Sequence, residues 1–159
     1  MTTGDDDLVA AVRLRADAYA RCSTEQALTY ACEDVLETII ASRALAAGDV
    51  DDFIARVCDA EDLDPPTVSL RRRRAVVASA DLDGNSICLD RGEITVATVL
   101  HELAHLACRV DSHGVMFRDT LVALCRRHAG VEHAALLHWL YTESGLEMSP
   151  WASSASHHR

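Results

Sequence analysis

Residues 101–105 of this chain read His-Glu-Leu-Ala-His, and another histidine, His113, follows after seven further residues. Side chains at positions i and i+4 lie on the same face of an α-helix, so His101 and His105 can reach one metal ion. Imidazole nitrogens bind Zn²⁺ at ~2.0–2.1 Å, and a catalytic zinc site uses three protein ligands and leaves the fourth position open. The spacing therefore predicts a helix that carries a metal site.

The residues around the motif show the hydrophobic pattern of an amphipathic helix. Apolar side chains recur at the spacing of one helix face, at Val96, Val99, Leu100, Leu103 and Leu106. This pattern predicts a helix from about Thr95 to Arg109, with both histidines on its inner surface. The alternative is two histidines held by hydrogen bonds in a core helix, but Glu102 and the downstream His113-Gly114 favour a metal site.

The remaining ligand and the reacting group are assigned within the same region. His113 is the predicted third zinc ligand, and Glu132 is its rival, because some zinc sites of this kind use a distant glutamate. Gly114 is expected to permit the close backbone approach that turns His113 back toward the metal, and Phe117 to anchor the next helix beneath it. Glu102 is the predicted catalytic base, because its carboxylate can take a proton from a metal-bound water.

Two further roles stay open at the level of sequence. Asp111 is either a carboxylate that orients a ligand imidazole or an ordinary loop residue. A hydrolase that acts on a peptide bond also needs a donor for the tetrahedral oxyanion. Four side chains are candidates that the sequence does not rank, namely Tyr141, His133, His138 and Arg118.

The hydrophobic periodicity predicts a largely helical chain. Ser23-Thr24-Glu25-Gln26 matches a capping box, so a helix should begin near Thr24, run through Leu45 and stop at Gly48. The other predicted helices are about 6–20, a short one after Asp49 or Asp51 through Val57, the motif helix, one from His113 that Gly130 ends, and 131–143.

The middle of the chain predicts β-structure, which makes the expected fold class α+β. After Pro65-Pro66, residues 67–80 have a strand-like composition. Asp83-Gly84-Asn85 is a hairpin turn signal, and Ser86–Leu89 is the returning strand of a small antiparallel sheet. If that returning strand is an exposed edge beside the motif helix, an extended peptide can pair with it.

The length of 159 residues fits one domain with a substantial core. We expect it to span residues 1–148, with a helical part at 1–64 and a catalytic part at 65–148. Residues 149–159 are expected to form a flexible tail. Its His157 and His158 are excluded from the site because they resemble a tag remnant.

The net charge and the cysteines limit which binding partners and which cellular compartment we expect. A net charge of −10 disfavours non-specific binding to nucleic acid or to an anionic membrane. The four arginines at 71–74 are expected to alternate between the two sides of a strand, which favours a charged edge strand over one basic patch. An acidic partner or substrate and nucleic acid are the alternatives. No stretch is apolar enough to span a bilayer, the acidic start is unlike a secretory signal, and six scattered cysteines fit free thiols in the cytoplasm.

The motif set resembles a known group. His101-Glu102-Leu103-Ala104-His105 followed by His113-Gly114-Val115-Met116-Phe117 is similar to the HExxH…HGxxF pattern of SprT-like zinc metalloproteases. It looks closer still to a small actinobacterial family of predicted metallohydrolases. The resemblance implies a minimal zincin-like fold, one zinc ion on the three histidines, and Glu102 as general base.

The predicted function is therefore that of a zinc-dependent metallopeptidase that hydrolyses a peptide bond in a protein or peptide substrate. Two alternatives remain: a metallohydrolase of non-peptide amides or esters, and a catalytically silent zincin-like binding protein.

Overall fold

Six α-helices and a three-stranded sheet are found in the described residues, 3–72, 78–92 and 94–151, of this computed structural model. This architecture confirms the predicted α+β class. In chain order the elements are α1 (Thr3–Ala16), α2 (Thr24–Ile39), α3 (Val50–Glu61), β1 (Thr67–Arg71), β2 (Ala78–Asp81), β3 (Ser86–Asp90), α4 (Val96–Cys108), α5 (Val115–His128) and α6 (Val131–Glu143).

Helix α2 begins where the capping box predicts but ends sooner than expected. The Ser23 hydroxyl accepts a hydrogen bond from the Gln26 N–H at 3.2 Å, which caps the first turn. The extension to Leu45 is wrong, because the chain leaves the helix after Ile39 and pairs with the start of α4. There the Leu45 N–H donates to the Ile94 carbonyl at 2.8 Å.

The sheet is mixed, which corrects the expected antiparallel arrangement. The predicted hairpin joins β2 to β3, but β1 pairs with β3 in the parallel direction. The order is β1-β3-β2, so β3 is the central strand and the idea that it forms an exposed edge is wrong. Within the predicted strand at 67–80, Arg72 follows β1 and is exposed, and residues 73–77 lie outside the described part of the chain.

One cluster of buried apolar side chains places α4 in the centre of the molecule. Val99, Leu100 and Leu103 of α4 are fully buried, as are Leu121 of α5 and Leu137 of α6. Residues of α1, α2, α3 and β3 belong to the same cluster. The motif helix is therefore packed on several sides, which holds its histidines in a defined orientation.

The structure also bears on the cysteines, on membrane-spanning helices and on the residues after α6. All six cysteines are free thiols, and no helix among the described residues is long and apolar enough to cross a membrane. Ser149 donates to the Asp119 carboxylate, and the Trp151 ring lies 4.8 Å from the Arg126 guanidinium. His157 and His158 lie outside the described residues.

Candidate metal centre

The three predicted ligand histidines lie together in the structure. The Nε2 atom of His113 is 3.1 Å from Nε2 of His101 and 3.2 Å from Nε2 of His105. All three side chains are buried, and their ligand atoms lie within 4.8 Å of one another. Among the described residues they form a group that could hold a metal ion.

The ends of α4 follow from local sequence and set the position of its histidines. The Thr95 hydroxyl accepts a hydrogen bond from the Thr98 N–H at 3.1 Å and so caps the first turn. At the other end Arg109 adopts the left-handed conformation with φ of 53°, which reverses the chain direction. The predicted helix, Thr95 to Arg109, is thus confirmed with these two residues as its caps.

The loop after α4 returns His113 to the site without help from glycine conformation. Gly114 has φ of −72°, and a Cβ atom there would meet only the Ser112 hydroxyl, at 3.9 Å. The expectation that this turn needs a glycine is therefore wrong. Instead, the buried Arg118 guanidinium donates to the His113 carbonyl and holds the loop in place.

Phe117 lies beneath the site, as predicted. Its ring centroid is 4.8 Å from that of His101, 4.3 Å from that of His105 and 4.6 Å from that of His113. The Phe117 side chain is fully buried. It therefore limits the tilt of all three imidazoles by direct packing.

Hydrogen bonds on the far side of two rings decide which nitrogen faces the centre. His101 Nδ1 lies 2.7 Å from Glu33 Oε2, and His105 Nδ1 lies 2.8 Å from the Val110 carbonyl oxygen. Both partners can only accept, so each Nδ1 carries the proton and each Nε2 presents a lone pair. Tyr141 donates to the other Glu33 oxygen at 3.2 Å, which holds this carboxylate in turn.

This arrangement fits a metal ion. Two lone pairs from His101 and His105 face His113 Nε2, whose single proton could satisfy only one of them. A cation at the centre satisfies all three nitrogens at once. Four tetrahedral ligands at the distances typical of zinc stand about 3.3 Å apart, close to the two spacings observed between His113 and its neighbours.

The environment keeps two of the three imidazoles neutral, as a metal ligand must be. Burial, and then the charges of His101 and His105, lower the pKa of His113 to about 3. Burial also lowers the pKa of His105. For His101 burial is outweighed by the charge and hydrogen bond of Glu33, with Glu102 adding to them, so its pKa is raised.

These shifts predict that the metal-free protein loses stability in mild acid. The pKa of His113 is about 3 in the folded chain, but in the unfolded chain it returns to the ordinary value of about 6.5. Between these values the unfolded chain binds more protons, so the free energy of unfolding falls as the pH falls below 6.5. His105 and His133 have lowered pKa values and act in the same direction, whereas His101 opposes them.

Urea unfolding of the protein, with metal removed by a chelator, measures this effect between pH 7.5 and 5. The urea concentration at the unfolding midpoint should fall as the pH is lowered. The fall should be smaller in His113→Gln, which cannot titrate at that position. Equal slopes for the two proteins would contradict the assignment to His113.

Glu102 and His101 line a cavity of about 720 Å³ between α2, α4, α5 and α6. Glu102 is 5 % exposed, and its negative charge acts on both His101 and Tyr30. The predicted base therefore lies beside the ligands and borders a space large enough for a substrate.

The structure also shows where Glu132, Asp111 and the candidate oxyanion donors lie relative to the histidines. Glu132 is exposed at the start of α6 and does not belong to the histidine group. Asp111 is exposed, and the carboxylate that contacts a ligand imidazole is Glu33 instead. Of the candidate oxyanion donors Tyr141, His133, His138 and Arg118, only His133 lines the cavity.

Two residues of α2 belong to the site but were not predicted from the sequence. Glu33 holds His101, and the Tyr30 ring packs against His101 and His113 at centroid distances of 5.8 Å and 4.8 Å. The sequence places Glu33 between the buried residues Cys32 and Val35 of α2, but Asp34 shares that position, so the pattern does not single out Glu33.

Comparison with known proteins shows a distant structural similarity. No protein-family model matches the chain, and no curated protein matches it. Among solved structures, the metallopeptidase zymogen of Pyrococcus abyssi, abylysin, matches with a TM-score of 0.45 and 20% identity. The match covers 63% of this chain and 99% of that chain.

Proposed function

We propose that this protein is a zinc-dependent metallopeptidase. The observation that carries the proposal is the convergence of three imidazole Nε2 atoms beside a cavity lined by Glu102. All-nitrogen ligation with an open position suits Zn²⁺ among the common divalent ions. The similarity of residues 101–117 to SprT-like metalloproteases agrees with this proposal. The proposal includes a protein or peptide substrate and a cytoplasmic location.

His101, His105 and His113 would hold the ion, and Glu33 and the Val110 carbonyl orient two of these imidazoles. When bound, zinc supplies a Lewis acid that polarises a carbonyl and lowers the pKa of a bound water toward ~7. The Glu102 carboxylate accepts the proton of the attacking water and returns it to the leaving amine. Burial of Glu102 favours this exchange, because it excludes bulk water from the proton's path.

Tyr30 is the proposed donor to the developing oxyanion. Its side chain lines the cavity next to His101, and its hydroxyl accepts a hydrogen bond from the Gln26 amide at 3.2 Å. Burial raises the pKa of Tyr30, so the hydroxyl keeps its proton and can donate it to a substrate oxygen.

A peptide-cleavage assay tests the proposal. The purified protein, loaded with one equivalent of Zn²⁺, is incubated with a mixed peptide library, and new termini are identified by mass spectrometry. We expect cleavage that stops on addition of a chelator and returns with zinc. Cleavage unaffected by the chelator, or an absence of new termini, would contradict a metallopeptidase, and a parallel ester and amide panel would then identify another hydrolase.

A further inference from the structure

The cavity extends beyond the metal centre along α2, α4, α5 and α6, and Tyr19, Cys22 and Ala78 also line it. Glu37 lies one helical turn after Glu33 on α2, and Thr98 lies about one turn before His101 on α4. Both residues line the cavity, and one turn advances about 5.4 Å along a helix. We call this extension the Glu37 pocket and define it by Glu37, Thr98, Leu121, Cys125, His133 and Leu137.

Two polar side chains of the Glu37 pocket have unused hydrogen-bonding capacity. Glu37 Oε2 accepts the Ser42 N–H at 2.8 Å, but Glu37 Oε1 is buried and has no partner among the described residues. The His133 side chain is 4 % exposed, and the structure gives its ring no hydrogen bond to another described residue. A buried acceptor without a partner is costly, so Glu37 Oε1 can gain by accepting a hydrogen bond from a bound group. The His133 ring also lines the cavity and offers a second polar contact.

The walls of the pocket suit a long side chain with a polar end. Leu121, Cys125 and Leu137 are buried and apolar, and they belong to α5 and α6. Apolar walls with a few placed polar groups are typical of a ligand site. The methylene stem of a lysine or arginine would pack against these walls while its charged end reaches the polar groups.

The charge of the cavity favours a cation. Its lining includes the carboxylates Glu33, Asp34, Glu37 and Glu102, and no lysine or arginine is found among the described residues that line it. Both carboxylate oxygens of Glu33 already have a hydrogen-bond partner, one in His101 and the other in Tyr141. Asp34 accepts from Arg15 and Tyr19 through one oxygen, Oδ2. Glu37 differs in having a buried oxygen, Oε1, without a partner among the described residues, and a bound cation can donate to it.

We propose that the Glu37 pocket binds the basic side chain of a lysine or arginine next to the scissile bond, with Glu37 Oε1 as the acceptor and His133 as a second polar contact. The proposal rests on the proposed peptidase function and specifies its substrate class. A charge-assisted hydrogen bond strengthens binding by about 10- to 100-fold, and we expect a preference of this size for basic over neutral residues.

Matched substrates measure this preference. Fluorogenic peptides with acetylated N-termini carry lysine, arginine, glutamine or leucine at one flanking position and are otherwise identical. The wild type should show the highest kcat/KM for lysine and arginine, and Glu37→Gln should lose that preference. His133→Gln should weaken it. If basic residues are preferred only in a parallel set of peptides with free N-termini, the proposal is overturned, because the pocket then takes the α-ammonium group.

Asp34→Asn is the matched control. It neutralises another carboxylate of the same cavity, but one already paired with Arg15 and Tyr19, so the preference should persist. Circular dichroism and zinc content establish that each variant is folded. Equal preference in the wild type and in Glu37→Gln would overturn the proposal.

A binding measurement separates this proposal from the peptidase proposal. Butylguanidine, which has the end group of arginine but no peptide bond, is titrated calorimetrically into the wild type and Glu37→Gln. Binding to the wild type alone supports the pocket even if no peptide is cleaved. Cleavage without basic preference and without butylguanidine binding overturns the pocket and leaves the peptidase function standing.

Discussion

Replacing Glu102 by glutamine is expected to lower kcat/KM by about 10²- to 10⁴-fold, the usual contribution of a general base, while zinc stays bound. Glutamine has nearly the same shape as glutamate, but its amide cannot accept the proton of the attacking water. Because Glu102 is not one of the three converging imidazoles, its neutralisation leaves the ligand set intact.

The experiment compares kcat/KM and zinc content for the wild type, Glu102→Gln and Glu132→Gln. Glu132→Gln is the matched control, because it makes the same chemical change at an exposed position of α6 and should retain activity. Hydrolysis by Glu102→Gln at the wild-type rate would show that another group takes the proton. Loss of zinc from Glu102→Gln would indicate that the carboxylate supports the metal instead.

Replacing His113 by alanine is expected to abolish stoichiometric zinc binding and the stabilisation that zinc provides. A ligand that binds only the folded state stabilises it by about 2.7 kcal/mol at a free concentration 100 times its Kd. For a chain of this length that corresponds to a rise in Tm of roughly 5–10 °C. Without His113 only the pair on α4 remains, and the zinc-induced rise in Tm should disappear.

Elemental analysis and thermal unfolding with and without zinc measure both effects. His138→Ala is the control, because His138 lies on α6, outside the histidine group, and its zinc content should equal that of the wild type. Glu33→Gln should give an intermediate result, with zinc affinity reduced about 10- to 100-fold, as is usual when the partner of a ligand imidazole is lost. Full zinc content in His113→Ala would require a different third ligand.

Helix α4 and its histidines were predictable because the information is local. The i, i+4 spacing of His101 and His105, the cap at Thr95 and the apolar stripe all act within a few residues. Helix α6 was predictable for the same reason, and its observed bounds, Val131–Glu143, agree with the expected ones. The proposed third ligand, His113, could be identified from the sequence because it lies only one short loop away.

The errors concern contacts between distant segments. The early end of α2 reflects pairing of Leu45 with Ile94, and the parallel pairing of β1 with β3 joins strands separated by β2. Neither has a local signature, because strand pairing depends on which segments meet in space rather than on propensity. The position of β3 in the centre of the sheet follows from the same pairing.

The order of residues around position 101 alone specifies a helix with two histidines on one face, since helical geometry places side chains by their spacing. What surrounds those histidines was decided by packing. Glu33 reaches His101 across 68 positions in sequence, and Glu37 and His133 line one cavity only because α2 and α6 pack beside α4 and α5. Packing brings distant side chains together through the burial of apolar surface in three dimensions, which leaves no short-range pattern in the chain.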